Sequence, residues 1–207
     1  MIKRCYKEKE FIPRIEQALN IKIPPYTCHV VDQSGMTKVM SGAGWSKKDT
    51  NGVVGFHLDE NVYVLKSADW TTLHELIHRA GVNADRINRV LAEGLTELIA
   101  SALKKGKDEH RATYPKERKW TTSFLKKIKM SPLELGKIIV HSHNPPIAVA
   151  EIISAKGLSK KSIPNIARSL VAQGKNEPSF NLSTPTKISR PDYPAYAFFV
   201  LFGVGLT

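Results

Sequence analysis

Asp69-Trp70-Thr71-Thr72-Leu73-His74-Glu75-Leu76-Ile77-His78-Arg79-Ala80-Gly81 is the stretch on which the reading of this 207-residue chain turns. Trp70, Leu73, Ile77 and Ala80 recur at intervals of three and four residues, which predicts a helix with one buried stripe. Ser67 or Asp69 suits its N-cap, and Gly81 suits the left-handed residue that ends it. His74 and His78 each sit one residue past that stripe, on one face and one turn apart. Two imidazoles so placed can grip one zinc ion while Glu75 reaches a water on the metal. Two half-buried histidines bonded to carbonyls would also satisfy the pattern, so the next test is a third ligand.

A catalytic zinc generally takes three protein ligands and keeps a fourth position for water. After the turn Gly81-Val82-Asn83-Ala84, a second helix is expected from about Asp85 to Lys104, with Ile87, Val90, Leu91, Leu98 and Ala102 on its apolar side. It carries Glu93-Gly94-Leu95-Thr96-Glu97. No histidine follows His78 until His110, beyond this helix, so a third histidine close behind the pair is excluded. If the two helices run antiparallel, His78 and His74 lie about 5 and 10 Å from the turn, Glu93 about 12 Å and Glu97 about 18 Å. Depth therefore favours Glu93, with Gly94 beside it opening room for a close helix approach. Helical phase points the other way, because Glu97 projects nearer the middle of the apolar arc, and it stays as the alternative.

These two helices resemble those of the gluzincin zinc metallopeptidases, the group that contains thermolysin and the thermolysin-like aminopeptidases. The resemblance rests on His74-Glu75-Leu76-Ile77-His78 and on Glu93-Gly94-Leu95-Thr96-Glu97, and spans about residues 53 to 104. It implies that Glu93 is the third ligand and that Glu97 is the acid that orients a ligating histidine. The interval between His78 and Glu93 is shorter than in the aminopeptidases, where the same count lands on Glu97, and Ala92 stands where the family often has asparagine. The motif by which aminopeptidases recognise a substrate amino terminus is not visible.

The resemblance further implies an activity, hydrolysis of peptide bonds. Zinc lowers the pKa of a bound water toward about 7, and Glu75 is the expected general base. An additional donor should stabilise the oxyanion; Tyr114 and His143 are candidates, with His141, Tyr193 and Tyr196 also downstream where the family finds one. Glu97 is the expected partner for the second nitrogen of a ligating imidazole.

Upstream, Val53-Val54-Gly55-Phe56-His57-Leu58 and Asn61-Val62-Tyr63-Val64-Leu65 predict two strands around Asp59-Glu60, and Tyr26 to Asp32 a third. The family precedent is a sheet whose edge strand pairs with an extended peptide substrate. His57 reads as an ordinary strand residue rather than a fourth ligand.

Composition fits a globular protein with one good core: 42% of residues are apolar. Cys5 and Cys28 are too few for a disulfide framework or a cysteine zinc site, and are expected as free thiols in a reducing compartment. The segment Met1 to Glu8 lacks the apolar core of a signal peptide. The apolar run Ala195 to Leu206 is short of the roughly 20 residues a membrane span needs. It reads as a tail packed on the body or on a partner. The expected location is cytoplasmic.

The formal net charge is +12. Much of the positive charge lies between Lys104 and Lys129, a segment through which nucleic acid or another polyanion could bind; a solvated helix face is the plainer reading. Trp120, Phe124, Leu125 and Ile128 predict an amphipathic helix within it. Pro132 to Val140, Pro146 to Ala155 and Ile163 to Gln173 predict three more, and residues 175–194 read as a linker.

The expectation is thus an α+β, zincin-like protein: a catalytic core over 1–106, a basic segment and helical lobe over 107–174, and a linker and apolar tail over 175–207. Zn2+ is the expected cofactor, and a peptide or protein the expected substrate. A zinc-stabilised regulatory or structural module is the alternative from a different class, and a DNA-associated peptidase a third.

Overall fold

Period-two runs and helical periods alternate early in the chain and give way to helices alone. The computed structural model describes residues 5, 7–46, 48, 50, 52–65, 69–83, 85–104 and 114–171. In chain order the elements are α1 (Glu8–Leu19), β1 (Thr27–Val31), α2 (Gln33–Gly42), β2 (Gly55–Leu58), β3 (Asn61–Leu65), α3 (Asp69–Arg79), α4 (Arg89–Leu103), α5 (Pro115–Ile128), α6 (Pro132–His141), α7 (Pro145–Ala155) and α8 (Ile163–Val171). This is an α+β arrangement with a small mixed sheet, as expected. The sequences expected of a linker over 175–194 and of the apolar tail lie outside the described residues, as do His110, Tyr193 and Tyr196.

The sheet order is β1-β3-β2, with β1 parallel and β2 antiparallel to β3. β2 and β3 form the hairpin that the sequence predicts, turning at Asp59, whose φ is 51°. β2 is thereby an edge strand. α3 packs on β2 and β3, and α1 and α4 also pack on it. With neighbours on several sides, every residue from Trp70 to His78 is buried, well beyond the single stripe the period suggests.

One apolar cluster runs from Phe11, Ile15 and Leu19 of α1 through Leu73 and Ile77 of α3 and Leu91 and Leu95 of α4 to Phe124, Leu135, Val149 and Ile166. Two helices in this assembly were not anticipated. α1 shows its signal in Phe11, Ile15 and Leu19 at four-residue intervals, although Pro13 interrupts the pattern. α2 begins at Asp32, whose side chain accepts from the Gly35 N–H, and buries Met36 and Met40.

α4 starts later than expected. Residues 85–87 form a turn rather than helix, with the Ile87 N–H bonded to the Asn83 carbonyl; Val82 and Ile87 are both buried in the core, and the Asn88 side chain caps the new helix by accepting from the Val90 N–H. The buried face of α4 also differs from the expected one. Ile87, Val90 and Leu91 are buried as expected, but Leu98 is half-buried and Ala102 exposed, whereas Leu95 and Ile99 are fully buried. Gly94 is indeed a point of close approach, but to α5 rather than α3: a Cβ there would lie 2.7 Å from the Glu117 carbonyl carbon and would meet the Glu117 oxygen and Thr121 Oγ1.

The expectation of free thiols is corrected. Cys5 and Cys28 are joined as a disulfide, with Cα atoms 5.8 Å apart, inside the span such bridges use. Both are buried with Val62 and Val64, which brings them together across a 23-residue interval that carries no sequence signal of pairing. The argument from free thiols to a reducing compartment falls with it. Among the described residues, no helix is long and apolar enough to cross a membrane.

Candidate metal centre

The helical spacing of His74 and His78 brings their Nε2 atoms to 2.9 Å from each other. Glu93, one turn into α4, places Oε2 at 3.2 Å from both. The late start of α4 is what puts Glu93 at this level. All three residues are buried and their donor atoms converge on one point. Two ligands bonded at about 2.1 Å to one tetrahedral ion stand about 3.4 Å apart, close to the three separations found here. The residues therefore fit a single metal ion.

The outer nitrogens are held as ligation requires. His78 Nδ1 donates to the Val82 carbonyl, which leaves Nε2 as the nitrogen that faces Glu93. Thr96 Oγ1 donates to the same carbonyl at 3.3 Å. His74 Nδ1 faces Glu97 Oε1 at 3.5 Å, and Glu97 is completely buried. Glu97 is the deeper of the two acids, while Glu93 is the one whose oxygen stands at the meeting point of the two imidazoles. Arg89, one turn before Glu93, holds Nε 3.7 Å from its other oxygen.

Electrostatics follow from packing these charges out of water. Burial pulls the His78 imidazole down, but the charge and hydrogen bond of Glu93 outweigh it and raise the group to about 9. Burial pushes the Glu93 carboxyl up, and the two imidazoles overcome that push and hold it well below the usual carboxylate range. Glu75 has no such partner. Burial lifts its carboxyl to about 7, with the His78 charge opposing and Glu93 adding to the rise.

Glu75 lies in a recess of about 130 Å³ whose walls include Val53, Val54, Trp70, Thr71 and Tyr114. β2 passes so close that a Cβ on Gly55 would lie 2.6 Å from Glu75 Oε1. His57, two residues on, stacks against His78 with ring centroids 6.0 Å apart. Burial, and after it the His78 charge, hold the His57 imidazole below its ordinary range. It is outside the group of converging ligand atoms, in keeping with its reading as a strand residue.

Of the expected oxyanion donors, Tyr114 is at the site: its ring stacks on His74 at 5.6 Å. Burial raises the Tyr114 hydroxyl above its ordinary value, and the charges of Glu93 and Glu75 raise it further, so it remains a proton donor. His143 is a correction. It is exposed in the turn between α6 and α7, where its neighbour Asn144 caps α7, and it is not among the groups gathered here. His141 hydrogen-bonds the Leu19 carbonyl at 3.0 Å, tying α6 to α1.

The sequence reading missed Gly55, Arg89, Thr96 and the Val82 carbonyl. Arg89 could have been found four residues before Glu93, but the others have no local signature, since a glycine in a strand and a carbonyl in a turn acquire meaning only from what packs on them. Comparison with protein-family models, with curated proteins and with solved structures found no match.

Proposed function

We propose that this protein is a zinc-dependent metallopeptidase of gluzincin type, with a zincin-like arrangement of sheet and paired helices. The observation that carries the reading is the convergence of His74, His78 and Glu93 beside a buried carboxyl, Glu75, that none of the three needs for ligation. A structural zinc site tends to close all four positions with protein ligands and has no use for such a group. Two imidazoles and one carboxylate suit zinc among the divalent ions that accept nitrogen and oxygen donors.

When bound, the metal would supply Lewis acidity, acidifying a water and polarising a carbonyl. The chain's own residues do the rest. Glu75 accepts the proton of the attacking water and returns it to the leaving amine, a role suited to a carboxyl lifted to about 7. Tyr114, kept protonated, donates a hydrogen bond to the oxyanion from beside His74. Glu97 and the Val82 carbonyl orient the two imidazoles.

The edge strand supports a peptide as substrate. The Val54 carbonyl accepts from the Leu65 N–H at 2.9 Å, so antiparallel alternation turns the N–H and C=O groups of Gly55 and His57 away from β3. Among the described residues no strand covers that edge. An extended peptide can pair there through main-chain hydrogen bonds alone. Its reacting carbonyl would lie beside Glu75, over which Gly55 passes.

The test is the pair of wild type and Glu75→Gln, assayed for bound zinc and for cleavage of casein. Zinc in both with cleavage only in the wild type is the expected result. Zinc without cleavage in the wild type would instead favour a structural or regulatory module.

A further inference from the structure

α5 has two faces of opposite character. Thr121, Phe124, Leu125 and Ile128 are buried against the core, whereas Lys116, Lys119, Ser123, Lys126 and Lys127 are exposed. At 3.6 residues per turn these five exposed positions fall within an arc of about 100°, and Lys116 and Lys126 are about 15 Å apart along it. The helix's one acid, Glu117, is on the other side, where its backbone abuts Gly94. Among the described residues no carboxylate forms an ion pair with Lys116, Lys119 or Lys126. The face is thus a cationic ridge on a chain whose formal net charge is +12.

We propose that this face of α5 binds the sugar-phosphate backbone of double-stranded nucleic acid through Lys116, Lys119 and Lys126, without reading its sequence. A duplex carries one negative charge per about 1.7 Å of its axis, so three ammonium groups along a straight helix meet phosphates in any register. Lysine is a mobile point charge that needs no fixed bidentate geometry, and no arginine lies within this arc to impose one. A membrane surface fits less well. An interfacial helix buries an apolar face in lipid, and the apolar face of α5 is already committed to the core. The exposed large apolar side chains among the described residues, Trp45, Ile147 and Val171, lie on other segments. Single strands are bound by aromatic platforms, and the half-buried Trp120 of α5 is stacked at 5.3 Å on the buried Phe124 rather than standing free on the ridge. The ridge begins two residues after Tyr114, which lines the recess at Glu75. The proposal does not depend on what that centre does.

The experiment is fluorescence anisotropy of a labelled random-sequence duplex of about 20 base pairs, titrated with the full chain over a salt series that starts near about 50 mM. Two triple variants are compared, each confirmed as folded by circular dichroism: Lys116→Gln, Lys119→Gln, Lys126→Gln on the ridge, and Lys9→Gln, Lys38→Gln, Lys160→Gln elsewhere, with the same loss of net charge. The ridge variant should bind at least about tenfold more weakly, with the other within about twofold of wild type. Three phosphate contacts predict that the wild-type slope of log affinity against log salt exceeds that of the ridge variant by about 3. Equal weakening in both variants would reduce the effect to net charge and overturn the proposal. So would tighter binding to a single strand, binding to phosphatidylserine vesicles in place of the duplex, or no duplex binding by the wild type.

Discussion

Gly55 crosses Glu75 so closely that a methyl group on its Cα would stand 2.6 Å from the carboxylate and would also strike Thr71. Strand β2 and helix α3 are therefore in contact at the group proposed to carry the proton. Gly55→Ala should push Glu75 aside without touching His74, His78 or Glu93. Zinc content should stay at the wild-type level while peptide cleavage falls at least about tenfold, since small displacements of a catalytic group are expensive in rate. Metal analysis beside a cleavage assay checks both halves.

The ligands and their supports should separate by degree. Replacing His74, His78 or Glu93 with alanine should empty the site, and chelation should abolish any cleavage. Glu97→Gln should weaken metal affinity by about 10- to 100-fold, because the orienting acceptor of His74 becomes neutral while the ligand remains. Competition with a zinc chelator of known affinity measures each step.

The pH response follows from His78, whose pKa in the metal-free protein is raised above its ordinary value to about 9. A raised folded-state pKa stabilises the fold below the unfolded-state value of about 6.5 and is lost as pH climbs through the folded value. The melting temperature of chelator-treated protein should therefore fall between about pH 6.5 and 9. Metal affinity should move in the opposite direction, rising over that range, because ligation displaces the His78 proton. Thermal melts with and without zinc across this window would expose both trends, and a flat profile in the metal-free protein would contradict the assigned ion pair.

Gly94 has a structural part. Its missing side chain admits the backbone of α5 at Glu117, and backbone cannot swing away as a flexible side chain can. Gly94→Ala should destabilise the protein by about 1–3 kcal/mol, the usual range for overpacking, against the small gain alanine brings to a helix interior. Urea unfolding of the variant and wild type measures it.

Local sequence was enough for much of the centre. The helix of His74 and His78 is periodic in its own apolar positions, so the spacing that points two imidazoles at one place is a property of thirteen consecutive residues. Strands β1, β2 and β3, the later helices and the preference for Glu93 were legible for the same reason: period and spacing are short-range quantities. What lies beyond them was decided by packing at long range. The burial of Val82 and Ile87 delays α4 and sets Glu93 level with the histidines; Val82 then offers its carbonyl to His78. Tyr114 and Gly55 come from opposite sides in sequence to meet at Glu75, and Cys5 reaches Cys28 because both enter one small apolar cluster. A residue's neighbours along the chain determine which helix or strand it joins. Its neighbours through space, brought by the collapse of distant apolar faces onto one core, determine what its polar atoms touch.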